Sequence, residues 1–315
     1  MKKLVLFSLP LLLVTACGSG INVQFKQGQD RIEVYFGETL FTTYRHEADL
    51  TKPILFPVHS PSGVVLNRSF PFSEVEGERK DHPHHTGVFF TYDEVNEDGF
   101  WNNTTTPPQI KHAEVTEMAG GMNQGTLAVR LLWTGVSGET LLEEQRTMKF
   151  IPGEKQHIID FDITLTALET PVTFHDTKEG MFAIRVAPWL REKGGSGQYL
   201  SSNADTTEKE VWGRRAKWVR LEGEIAGEKM GIAILNHPTS TNYPTYWHAR
   251  GYGLFAANPL GQAVFQKTRG EQDPQPFNLV LQPDESAPFN FRMIFYEGAR
   301  GVEDLDLEFA RYEQQ

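Results

Sequence analysis

The most regular pattern in this chain is an alternation of apolar and polar residues with a period of two. In segment 157–166 the apolar Ile159, Phe161, Ile163 and Leu165 fall on one face, which is typical of a half-buried antiparallel strand. Alternation, or enrichment in β-branched and aromatic residues, predicts further strands at 22–26, 31–36, 40–45, 87–92, 126–133, 143–150, 181–186, 218–222, 231–235, 277–282 and 289–296.

A helical pattern is clear only at the C-terminus. There Val302, Leu305 and Phe309 share one face behind an acidic first turn. With no repeats or interdomain linkers, many strands predict an all-β fold: one large antiparallel β-sandwich over residues 22–315 with a short C-terminal helix. Segments 67–86 and 101–111 interrupt the pattern and predict long irregular loops, where binding residues concentrate.

The N-terminus has a pattern of its own. Lys2 and Lys3 precede an apolar run at 4–14 and then Thr15-Ala16-Cys17, and this run is too short for a permanent membrane helix. The segment resembles a bacterial lipobox, so we expect a lipoprotein signal peptide at 1–16 and a lipidated tether at 17–21. Ordinary secretion with a free thiol is the alternative. The expected location is the cell envelope, with a lipid anchor on the outer membrane as the sole membrane contact.

Charge and compartment narrow the chemistry further. Removal of Lys2 and Lys3 takes the formal charge from −11 to −13, which argues against nucleic acid as a partner. Cys17 is the chain's single cysteine, so no thiolate nucleophile remains after lipidation. Outside the cytoplasm we expect no nucleotide cofactor. A divalent metal is the one cofactor left open.

The densest chemical signal is the sequence DHPHHTG at 81–87. In an extended segment, side chains two apart project to the same side, so we expect His82 and His84 to face one pocket and His85 to face away. That spacing suits two metal ligands, or a base with an orienting partner. In the alternative interpretation, one or two of these histidines only satisfy backbone groups of the loop.

A second signal is FHDTKEG at 174–180, ahead of an apolar strand. Asp176, Lys178 and Glu179 offer acid, base and electrostatic roles once burial separates their pKa values. A solvated charged turn is the alternative.

Two further segments combine aromatic and polar residues. Segment 211–215 places Trp212 beside Arg214 and Arg215, which suits a sugar ring or a carboxylate, unless the tryptophan is core and the arginines are surface residues. In segment 244–259, Tyr246 and His248 share a face and Trp247 points the other way. Aromatic residues next to polar ones such as Arg250 and Asn258 are typical of polyol binding.

Together, segments 81–87 with Trp101, 178–186, 208–216 and 244–259 resemble a bacterial family that carries the label "methane oxygenase PmoA". That label describes an integral membrane protein, and this sequence has no spanning segment. The resemblance implies instead a galactose mutarotase-like supersandwich, commonly encoded among genes for polysaccharide breakdown. It implies no settled catalytic residues.

These observations favour an envelope enzyme that cleaves a glycosidic bond in a saccharide by acid/base catalysis. The expected catalytic residues are His84, His85, Asp176, Glu179 and His248. The expected substrate-binding residues are Trp101, Lys178, Trp212, Arg214, Arg215, Tyr246, Trp247, Arg250 and Asn258.

Three alternatives stay open. One is a mutarotase or epimerase with a His acid and a Glu base. Another is a metal site on His82 and His84 with His248 or Asp81 as third ligand. The third is a non-catalytic glycan-binding lipoprotein. The enzyme hypotheses require His84 and Glu179 to meet in one cleft.

Overall fold

The computed structural model describes residues 20–315, so the expected signal peptide and Cys17 lie outside the described residues. The described chain is mostly strand, which confirms the all-β prediction. The strands are β1 Asn22–Gln27, β2 Arg31–Phe36, β3 Thr39–Arg45, β4 Ile54–Val58, β5 Val88–Tyr92, β6 Gln109–Ala119, β7 Gly121–Met122, β8 Gly125–Thr134, β9 Thr140–Ile151, β10 Gln156–Ala167, β11 Val172–Phe174, β12 Gly180–Arg185, β13 Gln198–Ser201, β14 Trp218–Ile225, β15 Glu228–Asn236, β16 Tyr246–Ala249, β17 Leu254–Asn258, β18 Leu279–Leu281 and β19 Ser286–Glu297.

Two large antiparallel sheets form the sandwich. The nine-stranded sheet has the order β16-β17-β12-β5-β4-β3-β2-β1-β7, and the eight-stranded sheet has the order β13-β14-β15-β19-β10-β9-β8-β6. Strands β11 and β18 form a small third sheet. The helices are α1 Glu208–Val211, α2 Gln262–Arg269 and α3 Val302–Tyr312, with a short 3-10 helix at Pro188–Leu190.

The main core lies between the two large sheets. Strand β10 shows why: Ile159, Phe161, Ile163 and Leu165 are all buried in this core, as their shared face predicts. The strand pairs antiparallel with β9 on one side and β19 on the other. Full burial of each such side chain stabilises the fold by roughly 1.5–3 kcal/mol.

Each large sheet also buries part of its outer face. On the eight-stranded sheet, helix α3 packs Leu305, Phe309 and Tyr312 onto an apolar patch, which confirms the predicted C-terminal helix. On the nine-stranded sheet, a smaller apolar cluster includes Phe89 and Trp101. Because side chains alternate along a strand, Phe89 lies on the opposite face of β5 from the core residues. This outer face carries the candidate site.

Several elements escaped the sequence analysis, and two of them show the physical reason clearly. Strand β6 begins inside the segment that was expected to be an irregular loop, and most of its residues are half-exposed or exposed because it is the edge strand of its sheet. Helix α2 buries only Phe265, so it shows no apolar stripe for a periodicity argument. Within residues 20–315, no helix combines the length and the hydropathy that a membrane crossing needs.

Candidate functional site

The three clustered histidines form a tight turn rather than an extended strand. The amide of His85 donates to the carbonyl of His82 at 3.0 Å, and His82 has a left-handed φ of 44°. The ring centroids of His84 and His85 lie 4.3 Å apart, and those of His82 and His85 lie 5.0 Å apart. The expectation that His85 faces away is therefore wrong, because the turn gathers all three imidazoles on one side.

A buried ionic network holds this turn against the sheet. Asp81 Oδ1 accepts from Arg68 Nη1 at 3.0 Å and from Arg185 Nη2 at 2.7 Å. Arg68 also donates to the carbonyls of His82 and His85, at 2.8 and 3.0 Å. The side chains of Arg68 and Arg185 are 3% and 1% exposed. One guanidinium thus binds both ends of the histidine turn, and the carboxylate of Asp81 joins it to strand β12.

The turn opens onto a cavity of about 250 Å³ on the outer face of the nine-stranded sheet, which we name the histidine cavity. Its walls come from four separate parts of the chain. The lining residues are His82, His84, His85, Asn102, Lys178, Glu179, His248, Arg250 and Tyr252. His84 and Glu179 thus share one cavity, which is the arrangement that the enzyme hypotheses require.

His248 has a defined tautomer. Its Nδ1 lies 2.5 Å from the backbone carbonyl of Lys178. A carbonyl oxygen only accepts, so Nδ1 carries the proton and Nε2 keeps the lone pair. Burial lowers the pKa of His248 to about 4, although the carboxylate of Glu179 opposes the shift. At neutral pH this imidazole is a neutral base.

The imidazoles of His84, which is half-buried, and of His85, which is buried, are also neutral at pH 7. Burial, followed by the nearby positive charge of Lys52, lowers the pKa of His84 to about 4. Burial lowers the pKa of His85 well below its usual value, and the positive charge of Arg185 adds to the effect. The cavity therefore supplies uncharged proton acceptors rather than imidazolium acids.

The charged groups of the cavity are Lys178, Glu179 and Arg250. Lys178 Nζ forms an ion pair with Glu179 Oε1, with the two side chains 45% and 20% exposed. Tyr252 stacks on His82 at 5.1 Å between ring centroids, and the guanidinium of Arg250 lies 5.7 Å from the Tyr252 ring. An ammonium, a guanidinium and one carboxylate thus face the neutral imidazoles.

Asp176 is placed elsewhere. Its carboxylate accepts from the backbone amides of Ala263 and Val264 in the first turn of α2, at 2.7 and 3.3 Å, and from that of Phe277 at 2.9 Å. A carboxylate in this position satisfies the free amides of a helix N-terminus. The expected pair of catalytic carboxylates, Asp176 with Glu179, is therefore not present in the cavity, where Glu179 is the single carboxylate.

The three tryptophans expected to stack on sugar rings occupy different environments. Trp247 is fully buried between the sheets and donates to the carbonyl of Ala216. Trp101 is fully buried beneath the cavity, with its ring centroid 5.6 Å from that of His85. Trp212 is half-buried and lies edge-on to His248 at 6.3 Å. Burial excludes Trp247 and Trp101 as stacking surfaces, whereas Trp212 borders the cavity.

The remaining predicted binding residues separate into two groups. Asn258 is fully buried and satisfies backbone groups, accepting from the amides of Leu260 and Gly261, so it is a structural residue. Arg214, Arg215 and Tyr246 line a different, open cavity of about 480 Å³. Among the predicted binding residues, only Lys178 and Arg250 line the histidine cavity.

The metal alternative is not supported by the donor arrangement. Within residues 20–315, no group of three or more histidine, cysteine, aspartate or glutamate side chains is placed to hold a metal ion. Asp81 was a proposed third ligand, but its carboxylate already forms ion pairs with Arg68 and Arg185.

The sequence analysis missed two lining residues, Asn102 and Tyr252, and one residue behind the wall. Lys52 is 2% exposed, and its ammonium lies 5.5 Å from the Phe89 ring. Tyr252 lies in the aromatic segment 244–259, which was a usable signal. Asn102 lies in segment 101–111, which was expected to be a loop that carries binding residues, although nothing singled out this residue. Lys52 carries no signal in the sequence, because only the folded chain brings it to the cavity.

Lys52 also lines a separate cavity of about 350 Å³ with His46 and His112. There the imidazole of His112 is hydrogen bonded to Tyr44, and Glu47 is paired with Arg45. With its carboxylate and one imidazole already engaged, this cavity offers fewer free acid/base groups than the histidine cavity.

The fold and the cavity define the class: an all-β sandwich protein with acid/base groups on the outer face of one sheet. The chain belongs to DUF6807, a family of unknown function whose model matches residues 31–310. The resemblance to the family labelled "methane oxygenase PmoA" stays an expectation of the sequence analysis. Comparison with curated proteins gave no match.

Several solved structures are similar to this chain at low identity. The GH36 α-galactosidase AgaB from Geobacillus stearothermophilus is 11% identical with a TM-score of 0.46, and the match covers 89% of this chain and 41% of that one. A galactose mutarotase-like protein from Clostridium acetobutylicum is 10% identical with a TM-score of 0.43, covering 89% and 99%. The α-galactosidase from Lactobacillus brevis is 10% identical with a TM-score of 0.40, covering 93% and 42%. The chain thus spans less than half of each α-galactosidase.

Proposed function

We propose that this protein acts on saccharides in the histidine cavity, by proton transfer at an anomeric centre. The observation that carries the proposal is the convergence of His248, a neutral base, with Lys178 and Arg250, two cations, in one cavity of about 250 Å³. A partly enclosed cavity with a few convergent polar groups is typical of a small-molecule site, and this volume lies just below the roughly 300–1,000 Å³ of such sites.

Mutarotation or epimerisation is the reaction that this geometry supports best. Hydrolysis of a glycosidic bond commonly uses two carboxylates, and Asp176 is diverted to the end of α2. Opening of a sugar ring needs one base and one proton donor but no nucleophile. The cavity supplies both kinds of group without a second carboxylate.

In the proposed step, His248 Nε2 takes the proton from the anomeric hydroxyl. The C1–O1 bond becomes a carbonyl as the bond from C1 to the ring oxygen breaks, and the ring oxygen takes a proton from Lys178. Closure on the other face of the carbonyl returns both protons and gives the other anomer. Glu179 positions the ammonium of Lys178 through their ion pair, and Arg250 stabilises negative charge on oxygen.

The test is anomeric exchange of free sugars. Freshly dissolved α-anomers of a panel of neutral aldoses and hexuronic acids are followed by NMR with and without protein. We expect accelerated exchange for at least one sugar, and loss of the acceleration in His248→Gln. His237→Gln is the matched control, because His237 lies in a loop near helix α3. Exchange at the uncatalysed rate for every sugar contradicts the proposal.

Glycosidic bond cleavage is the second candidate, because the half-exposed Trp212 at the cavity border extends the site beyond one sugar unit. New reducing ends from oligosaccharides, without accelerated anomeric exchange, support this candidate. Retention of glycans by both wild type and His248→Gln, with neither reaction, supports a binding protein instead.

We also propose that the chain is anchored in the cell envelope through Cys17, on the basis of the lipobox-like sequence. Metabolic labelling with a palmitate analogue tests this. Label on the wild type that is absent from Cys17→Ser supports the anchor, and equal labelling of both refutes it.

A further inference from the structure

The open cavity beside the histidine cavity has a chemistry of its own. It is lined by Gly213, Arg214, Arg215, Tyr246, Arg269 and Glu271. Three guanidinium groups therefore face one groove of about 480 Å³ in a protein with a net charge of −11. We name it the arginine groove.

Strand β16 joins this groove to the histidine cavity. Tyr246 lines the groove and His248 lines the cavity, and residues two apart on a strand lie on one face about 7 Å from each other. The ring of Phe265 packs against both, at 5.5 Å from Tyr246 and 6.4 Å from His248 between centroids. The two openings are thus neighbours on the same sheet face.

One of the three arginines is structural. Arg215 donates to the carbonyls of Asn242 and Pro244 and to Gln262 Oε1, at 2.7–3.0 Å. Its guanidinium also stacks 4.4 Å above the Tyr246 ring. With its donors engaged by the protein, it shapes the groove wall.

The other two retain binding capacity. Arg214 is 49% exposed and pairs with Asp205 through Nη1 at 2.7 Å, and within residues 20–315 its side chain makes no other hydrogen bond. Arg269 donates to the carbonyls of Lys209 and Glu210. Burial and the charge of Arg214 lower the pKa of Arg269 in spite of Asp205 and Glu210. Two neighbouring guanidinium groups are therefore only partly compensated.

We propose that the arginine groove binds an anionic substituent, a carboxylate or a sulfate ester, on a sugar unit next to the one in the histidine cavity. Guanidinium forks match such planar or tetrahedral oxyanions through paired charge-assisted hydrogen bonds. The groove thus selects acidic oligosaccharides in an acidic protein. The proposal rests on the proposed function in one respect: the anion is carried by a saccharide.

The test measures anion binding without turnover, so its outcome is independent of the reaction. The arginine Nε–Hε resonances of 15N-labelled protein are followed during titration with inorganic sulfate, with glucuronate, and with glucose as the neutral control. We expect saturable shifts of Arg214 and Arg269 with sulfate, glucuronate or both, and none with glucose. Sulfate alone indicates sulfated sugars, and glucuronate alone indicates uronic acids.

Three variants test where the anion binds and how the charge of the groove wall changes its affinity. Arg214→Gln is expected to weaken anion binding by about tenfold or more, because a charge-assisted hydrogen bond is lost. Glu271→Gln removes an exposed negative charge from the groove wall and is expected to tighten binding severalfold. His237→Gln, in the loop near helix α3, is expected to leave it unchanged.

Absence of saturable shifts with both anions overturns the proposal, and so does equal affinity in wild type and Arg214→Gln. If Glu271→Gln weakens binding instead of tightening it, the anion lies elsewhere and the proposal also fails. Anomeric exchange measured on the same samples shows separately whether the proposed function stands.

Discussion

Asp81 is the residue whose substitution most directly tests how the cavity is built. Asp81→Asn keeps the size of the side chain but removes the negative charge between Arg68 and Arg185. Both guanidinium groups are almost fully buried, so each is left without its counter-charge. Loss of one partner of a buried ion pair costs roughly 3–5 kcal/mol. Asp81 is itself 22% exposed, so water compensates for part of the lost interaction. We expect the variant to lose about 3 kcal/mol of folding free energy.

Urea unfolding at pH 7 measures this cost. Asp284→Asn is the matched control, since Asp284 is exposed in a turn with a left-handed φ of 66° that asparagine also tolerates. We expect the Asp81 variant to unfold at a clearly lower urea concentration and the control within about 0.5 kcal/mol of wild type. If both variants differ from wild type by the same small amount, the ionic network does not hold the histidine turn.

The pH dependence provides an independent check. Burial raises the pKa of Asp81, but the positive charges of Arg185 and its neighbours outweigh burial and hold that pKa below its usual value. A depressed folded-state pKa stabilises the fold at pH values above the unfolded pKa, about 3.9. This contribution is lost as the pH falls through the folded-state pKa. The stability difference between wild type and Asp81→Asn should therefore shrink in acid.

Three further outcomes are expected. Any anomeric exchange activity should fall as the pH drops through about 4, because protonation of His248 removes the base; activity that rises instead would identify an imidazolium acid. Asp176→Ala should destabilise the fold by about 1 kcal/mol or more in thermal unfolding, because the amides at the start of α2 lose their acceptor, whereas Asp176→Asn should retain part of it; equal stability of all three proteins contradicts the capping role. Burial lowers the pKa of Lys52 to about 7, so the unfolded chain binds more protons between pH 7 and 10 and the urea midpoint should rise across this range. Lys52→Met should remove that rise, and an unchanged pH profile in this variant refutes the assignment.

Some of the architecture could be predicted from local pattern alone. The alternation in segment 157–166 gives both the strand and its buried face, because a period of two has one apolar side whatever the partner strands are. The same rule placed Tyr246 and His248 opposite Trp247, and β16 shows that separation. Edge strand β6 and helix α2 escaped because neither buries a regular apolar face.

Residue type indicated which side chains could take part in chemistry, but not which of them are already hydrogen bonded to other groups of the protein. Asp176 and Glu179 are both carboxylates three positions apart, yet one caps helix α2 and the other faces the cavity. Arg215 and Arg250 are both arginines near aromatic residues, yet the first is engaged by carbonyls. Such differences depend on which backbone groups lie nearby after folding, and no local pattern encodes them.

The sequence by itself determined the all-β class and the segments that carry reactive side chains, because strand periodicity and residue type are local properties. The tertiary structure decided which of those side chains meet. Strand β5, strand β12 and the hairpin β16-β17 are neighbours in one sheet although they come from three distant parts of the chain. This order brings the histidine turn, Glu179 and His248 to one cavity. The tight turn at His82–His85 also reversed the expected direction of His85. Pairing between distant strands is set by the packing of the whole core, which is why the site became visible only in the folded chain.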